Sequence, residues 1–236
     1  NARLKRDYQL WWENSITSAG NVTSLLYAAL GKDFSEKNKK LLGTPFAQFM
    51  KFTSEIRTLF KVGEKQHIAA RLMGGVLWSY GNQTIAPYSE QFYIGGANSL
   101  RAFTVRSLGP GTYNPGKNTK YGYLDQTGDI KLEANVEYRF PIFGELYGAT
   151  FLDAGNVWLM RKDESRPGGE LTLKNFAKSI ALNTGVGVRY DLTFLVIRLD
   201  MGIALHVPYE TGKSGYYNIP KFKDGLGLHF AIGYPF

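Results

Sequence analysis

The chain contains no cysteine. Disulfides, zinc–cysteine sites and thiol nucleophiles are thereby excluded, although this says nothing decisive about compartment. No uninterrupted apolar run approaches the ~18 residues a membrane-spanning helix requires. Nor is there a secretory leader. Asn1-Ala2-Arg3-Leu4-Lys5-Arg6 is charged and has no apolar core behind it, so a mature, trimmed or partial chain is expected. Histidine is scarce: His67, His206 and His229 are the full set. Strand alternation puts all three on the polar side, and His206 and His229 need not meet although their strands are adjacent. A membrane phospholipase would want a serine–histidine pair on the lipid-facing wall, and none is evident. HExxH, the P-loop and a GxGxxG between strand and helix are all missing, and Gly109-Pro110-Gly111 and Gly225-Leu226-Gly227 read as turn and strand glycines. No catalytic residue, metal ligand set or cofactor is expected, and the protein is read as a non-enzyme.

What is present is a long, aromatic, glycine-rich chain. Its 236 residues are 44% hydrophobic and 14% aromatic, with 27 glycines. The mean hydropathy of −0.23 resembles that of a soluble protein. A transmembrane barrel gives the same average, because every second strand residue faces a wet lumen. The formal net charge is +8, but the charges are scattered rather than striped, so no nucleic-acid partner is expected. Lys37, Lys39, Lys40, Lys117, Lys120, Arg161, Lys162, Lys213, Lys221 and Lys223 fall in expected loops. They read either as ordinary solvated residues or as loops facing an anionic lipid surface.

Alternation is the strongest signal. From Asp129 to Phe140, the residues Ile130, Leu132, Ala134, Val136, Tyr138 and Phe140 oppose Asp129, Lys131, Glu133, Asn135, Glu137 and Arg139. That is period two without a break. Phe194–His206, Ile180–Asp191 and Leu226–Phe236 repeat it, and Leu146–Trp158 does so more weakly with Asp153 on the polar face. Tyr8–Thr17, Phe46–Phe60 and His67–Trp78 complete an expected set of about eight strands, each long enough to cross a bilayer at a tilt. Tight connections at 60–65, 141–145 and 190–193 alternate with long ones at 31–44, 79–128, 159–179 and 207–225. Outer-membrane barrels have this asymmetry of short periplasmic turns and long external loops. A soluble antiparallel sandwich also alternates, but with shorter strands and long loops seldom confined to one end. Tyr8, Trp11, Trp12, Trp78, Tyr80, Trp158 and Tyr190 lie near strand ends, where an interfacial belt would hold them. The expected fold is an all-β transmembrane antiparallel barrel with long extracellular loops.

The segment Phe92-Tyr93-Ile94-Gly95-Gly96 followed by Ser99-Leu100-Arg101-Ala102-Phe103 resembles the sixth-loop signature of the BamA/TamA superfamily of bacterial outer-membrane assembly proteins, the bacterial surface antigen family. Five strands follow, as that family's twelfth to sixteenth do, and three precede it. The resemblance covers essentially the whole chain. It implies a sixteen-stranded barrel, an even count within the usual range, with residues 1–236 forming its C-terminal part. Upstream strands and periplasmic domains would then lie outside this sequence. The resemblance further implies a loop tucked into the lumen and a weak seam between first and last strands. Its implied function is assembly, insertion or translocation of proteins in the bacterial outer membrane, with a polypeptide secretion pore or passive channel as the alternative. The implied partners are unfolded outer-membrane client proteins, outer-membrane lipids including lipopolysaccharide, and periplasmic or lipoprotein components.

Arg101 is the principal candidate residue. An arginine inside a lumen needs carboxylates, since burying it alone costs several kcal/mol. Glu137 and Asp153 flank the tight turn at Gly144-Glu145 on the polar face, and a hairpin centred there is expected to set them directly opposite each other. A guanidinium between them would relieve their repulsion. The resemblance also pairs the loop arginine with acids on these two strands. The alternative is a solvated Arg101, with the acids merely hydrating the lumen. Gly95, Gly96, Ser99, Leu100, Ala102 and Phe103 complete the loop motif. The family usually has glycine where this chain has Ala102, and an alanine there is strained if the position needs positive φ. In the last strand, Phe230, Ile232, Tyr234 and Phe236 alternate as an edge-docking signal would. Gly233 softens that strand and Pro235 lacks a ladder donor, so a poorly zipped seam is expected.

Overall fold

The computed structural model describes residues 7–114, 116 and 126–236; Lys117 and Lys120 lie outside them. In chain order the elements are β1 (Tyr8–Ala19), α1 (Asn21–Ala29), β2 (Lys40–Leu41), β3 (Thr44–Pro45), β4 (Phe49–Gly63), β5 (Gln66–Ser79), β6 (Ile130–Phe143), β7 (Leu146–Trp158), α2 (Phe176–Ser179), β8 (Ala181–Asp191), β9 (Val196–His206) and β10 (Leu226–Ile232). Eight strands form one antiparallel sheet in the order β1-β4-β5-β6-β7-β8-β9-β10. This is a meander, with each long strand paired to its neighbour in sequence. β1 and β10 are its edges. The other sheet is the small β2–β3 hairpin.

The two faces differ sharply. Leu72, Val76, Trp78, Val136, Leu152, Val186, Leu199, Met201, Leu228 and Phe230 stand exposed on the outer face. Glu133, Asn135, Glu137, Asp153, Asn183, Arg189, Arg198 and Asp200 are buried on the inner face, which carries residues 92–108. A soluble sandwich would bury the apolar face against a second sheet. Here, among the described residues, the apolar face is left uncovered and the polar one is covered. Connections between long strands are short at one end (63–66, 143–146, 191–196) and long at the other. β-Bulges at Lys61/Gly63 and Pro141/Phe143 precede two of the tight turns.

All eight strands read from the sequence are present, with five corrections. The last strand ends at Ile232 rather than Phe236, because Gly233 takes φ 86° and turns the chain. β4 begins at Phe49 rather than Phe46, since Gln48 is drawn into side-chain bonds with Ser24 and Asn21. Trp158 does not sit in an interfacial belt. It is 1% exposed, stacked on Phe176 at 5.6 Å with its indole N–H on Ser179 Oγ. Lys39 is not solvated; it is buried, with its ammonium on the carbonyls of Asp33 and Phe34. Trp11 also faces inward, over which the Arg57 guanidinium lies 4.5 Å from the ring centroid.

Candidate functional site

The long segment after β5 returns to the inner face of the sheet. Phe92 bridges Gly128, and its ring fills the space left by Gly75. Gly95 and Gly96, with φ of 94° and 95°, then reverse the chain in a conformation that side chains resist. The turn is closed by the Gly96 amide on the Phe103 carbonyl (2.8 Å), the Gly95 amide on Ser99 Oγ (3.1 Å) and the Arg106 amide on the Ile94 carbonyl (2.9 Å). Ile94, Leu100, Phe103 and Leu108 pack against Phe49, Leu77, Val157, Ala181 and Ala204 of the wall. This apolar cluster holds the loop near the long-loop end and directs Arg101 toward the polar middle of the sheet.

Arg101 is 0% exposed. Its Nε and Nη2 donate to the two oxygens of Asp153 at 3.0 and 2.8 Å, and Nη1 donates to Glu137 Oε2. Its own amide adds a bond to Asp153 Oδ2 at 3.2 Å. The guanidinium carbon lies 3.5 Å from the centroid of the Phe151 ring. Burial works against the arginine's charge, but the bonds and charges of Asp153 and Glu137 outweigh it, so its pKa lies above the ordinary value. Asp153 also accepts from Asn135 and Asn183, both at 2.9 Å. Glu137 also accepts from Arg139 (2.8 Å) and Arg189 (3.0 Å), and Arg189 continues to Asp200 and Arg198. Every carboxylate here is paired, the condition under which charges tolerate burial.

The register differs from the expected one. Glu137 stands opposite Phe151, and Asp153 stands opposite Asn135. The acids are diagonal neighbours. This leaves room for the Phe151 ring under the guanidinium and lets Asn135 bond Asp153 across the strand pair.

A second half of the site is made of glycine. Gly185, Gly202 and Gly227 lie in one row across β8, β9 and β10. A Cβ on Gly202 would strike the Arg101 carbonyl, and one on Gly227 would come 2.8 Å from the carbonyl carbon of Ala102. A Cβ on Gly185 would run into the Phe151 ring. Arg101 therefore holds β6 and β7 with its side chain and rests on β9 and β10 with its backbone.

Residues 27–236 match the model of the Omp85 superfamily domain. The chain belongs to the Omp85 superfamily. Relatives of this Omp85 chain include the outer membrane protein assembly factor BamA of Neisseria meningitidis, 34% identical over 90 residues, 36% of this chain and 11% of that protein. The human sorting and assembly machinery component 50 homolog is 28% identical over 150 residues, 61% of this chain and 30% of that protein. The chain thus spans a minor part of these relatives. Among solved structures, BamA from Haemophilus ducreyi lacking POTRA domains 1–3 superposes with a TM-score of 0.53 at 16% identity, covering 78% of this chain and 35% of that one. Members of this superfamily are outer-membrane β-barrel proteins, which agrees with the exposed apolar face of the sheet.

Two motif positions in this Omp85 chain behave differently from expectation. Ala102 does not take a positive φ, so alanine is not strained there. Its backbone lies against Gly202 and Gly227. At the terminus, Tyr234 and Phe236 do not continue the outward row of Phe230 and Ile232. The Arg139 guanidinium lies 4.1 Å from the Tyr234 ring centroid and 5.9 Å from that of Phe236, and Arg71 lies 5.4 Å from Phe236. Pro235 is buried in this turn. The residues that sequence reading passed over are Phe151, Asn135, Asn183, Gly202 and Gly227. Their inward parity was visible, but nothing local marked them as contacts of a loop distant in sequence.

Proposed function

We propose that this chain is the C-terminal part of a larger, sixteen-stranded barrel in the bacterial outer membrane. Strands and periplasmic domains upstream would complete it, and its first and last strands would meet at a seam. The protein acts without enzymatic chemistry, as an insertase or translocation factor for unfolded outer-membrane proteins. Outer-membrane lipids, lipopolysaccharide among them, and periplasmic or lipoprotein components are its further partners. The observation that supports this most is Arg101, whose side chain grips Glu137 and Asp153 while its backbone rests on Gly202 and Gly227. An eight-stranded barrel has an interior just filled by its own side chains. A loop of this size on the inner face needs more strands around it. The loop then links the inner wall to β10, the strand at the proposed seam. β10 is seven residues long, against eleven for β9, and its outer edge has no partner strand among the described residues. An incoming strand added there satisfies its backbone hydrogen bonds against protein before it meets lipid.

Full-length protein reconstituted in vesicles is expected to accelerate the folding of a reporter barrel, and the Arg101→Glu variant to lose most of that acceleration. Steady ion conductance that rises when the 92–108 loop is deleted, with no effect on reporter folding, would overturn this in favour of a secretion pore or passive channel.

A further inference from the structure

Helix α1 is built inside out. Its polar residues Asn21 and Ser24 point into the protein. Ser24 is 0% exposed and donates to Gln48 Oε1 at 2.9 Å. Asn21 Oδ1 accepts from Gln48 Nε2 at 3.2 Å and from the Tyr80 hydroxyl at 2.8 Å. Val22, Leu25, Leu26 and Ala29, with Leu30 just beyond, fall at helical spacing on one face, and all are exposed. Leu30 is 81% exposed. A helix facing water has the opposite arrangement, with its apolar stripe on the protein. Polar in and apolar out suits a helix whose outer surroundings are hydrocarbon.

The helix also sits at the right height. Ser18, Met50 and Trp78 form one row across β1, β4 and β5, and α1 starts three residues after Ser18. Trp78 is exposed on the outer face and packs on Tyr80 at 5.1 Å, and Tyr80 in turn bonds Asn21. Paired tryptophan and tyrosine favour the boundary between acyl chains and headgroups. Below them the outward row continues through Ile16, Phe52 and Val76, so the exposed helix face extends the apolar wall.

The unit is held firmly. The Tyr27 hydroxyl donates to the Lys40 carbonyl and its ring meets Phe46 at 6.5 Å. Asn82 donates to the carbonyls of Lys39 and Phe46 at 2.9 and 2.6 Å, tying hairpin β2–β3 to the end of β5. At the hairpin tip Leu41 and Leu42 are exposed. Lys32, Lys37 and Lys40 precede these leucines in the chain and are also exposed, with Asp33 and Glu36 the acids among them and Lys32 3.8 Å from Glu36. Lysines beside an apolar face extend their ammonium groups to phosphate-bearing headgroups.

We propose that α1 and the Leu41–Leu42 tip form an interfacial anchor. Its apolar face lies in the acyl region of the outer leaflet, and Lys32, Lys37 and Lys40 meet anionic lipid headgroups. This rests on the membrane-spanning reading of the sheet and not on the insertase reading.

The test uses single cysteines in the full-length protein, labelled with bimane and reconstituted in phosphatidylcholine–phosphatidylglycerol vesicles. Leu26→Cys and Leu30→Cys report on the anchor, Leu72→Cys on the outer wall and Glu36→Cys on the aqueous side. A shallow acyl-chain nitroxide is expected to quench the Leu26 and Leu30 probes as strongly as the Leu72 probe. Iodide is expected to quench them several-fold less than the Glu36 probe. Two results overturn the anchor while Leu72 stays lipid-quenched: iodide quenching of the α1 probes without nitroxide quenching, which puts the helix in water, or quenching by neither, which puts it under protein. A Leu72 probe untouched by the nitroxide would instead defeat the membrane reading on which the anchor rests.

Discussion

Asp153 receives three hydrogen bonds from Arg101, one from the main-chain amide and two from the guanidinium. The loop is thus fixed in position and orientation by one carboxylate, and Glu137 adds a second contact from the neighbouring strand.

Arg101→Glu brings a third carboxylate against two buried ones. Losing one partner of a buried ion pair costs about 3–5 kcal/mol, so the variant should unfold at a clearly lower temperature in a heat-modifiability gel. Adding Asp153→Arg should recover part of the loss, since Asn135 and Asn183 can turn their amide oxygens toward the new arginine. Glu137→Arg should recover less, because Arg139 and Arg189 already face that site.

Arg101→Lys keeps the charge and loses the fork. An ammonium cannot reproduce the paired Nε and Nη2 bonds together with the flat contact on Phe151. The expected cost is about 2–3 kcal/mol, with a melting midpoint between those of the parent and Arg101→Glu. A midpoint equal to the parent's would mean that the fork geometry contributes nothing.

Gly202→Ala and Gly227→Ala test the other half of the site without touching an ion pair. Each added methyl meets loop backbone, and overpacking of this kind costs about 1–3 kcal/mol. Gly74→Ala is the control, as its nearest neighbour, the Lys131 carbonyl oxygen, is 4.0 Å away. An engineered cysteine at Leu100 should gain reactivity toward a water-soluble maleimide in the first two variants and stay protected in the third.

Gly233→Ala opposes the turn that carries Tyr234 and Phe236 inward. A left-handed conformation costs a non-glycine residue about 1–2 kcal/mol, which favours a straight terminus. Disulfide formation between cysteines placed at Phe236 and Arg71 should therefore fall relative to the same pair with Gly233 intact. Unchanged cross-linking would mean that the arginine–aromatic contacts hold the terminus without help from the glycine.

The strands, their facing and the asymmetry of their connections were legible in the sequence. A strand declares itself within a few residues, and the alternation from Ile130 to Phe140 needs no partner to be recognised. The pairing of Arg101 with two acids was legible too, because a buried cation requires them. Contacts set by how far one strand slides past another were not legible. The register of β6 on β7 put Asn135, not Glu137, across from Asp153. Only the fold brings Gly202 and Gly227 beneath a loop some hundred positions earlier, covers Trp158 with Phe176, and turns α1 with its serine inward and its leucines out. Local patterns set which way a side chain points relative to its own strand. What it meets there is decided by register and by segments far away in the chain, and these exist only once the sheet has formed.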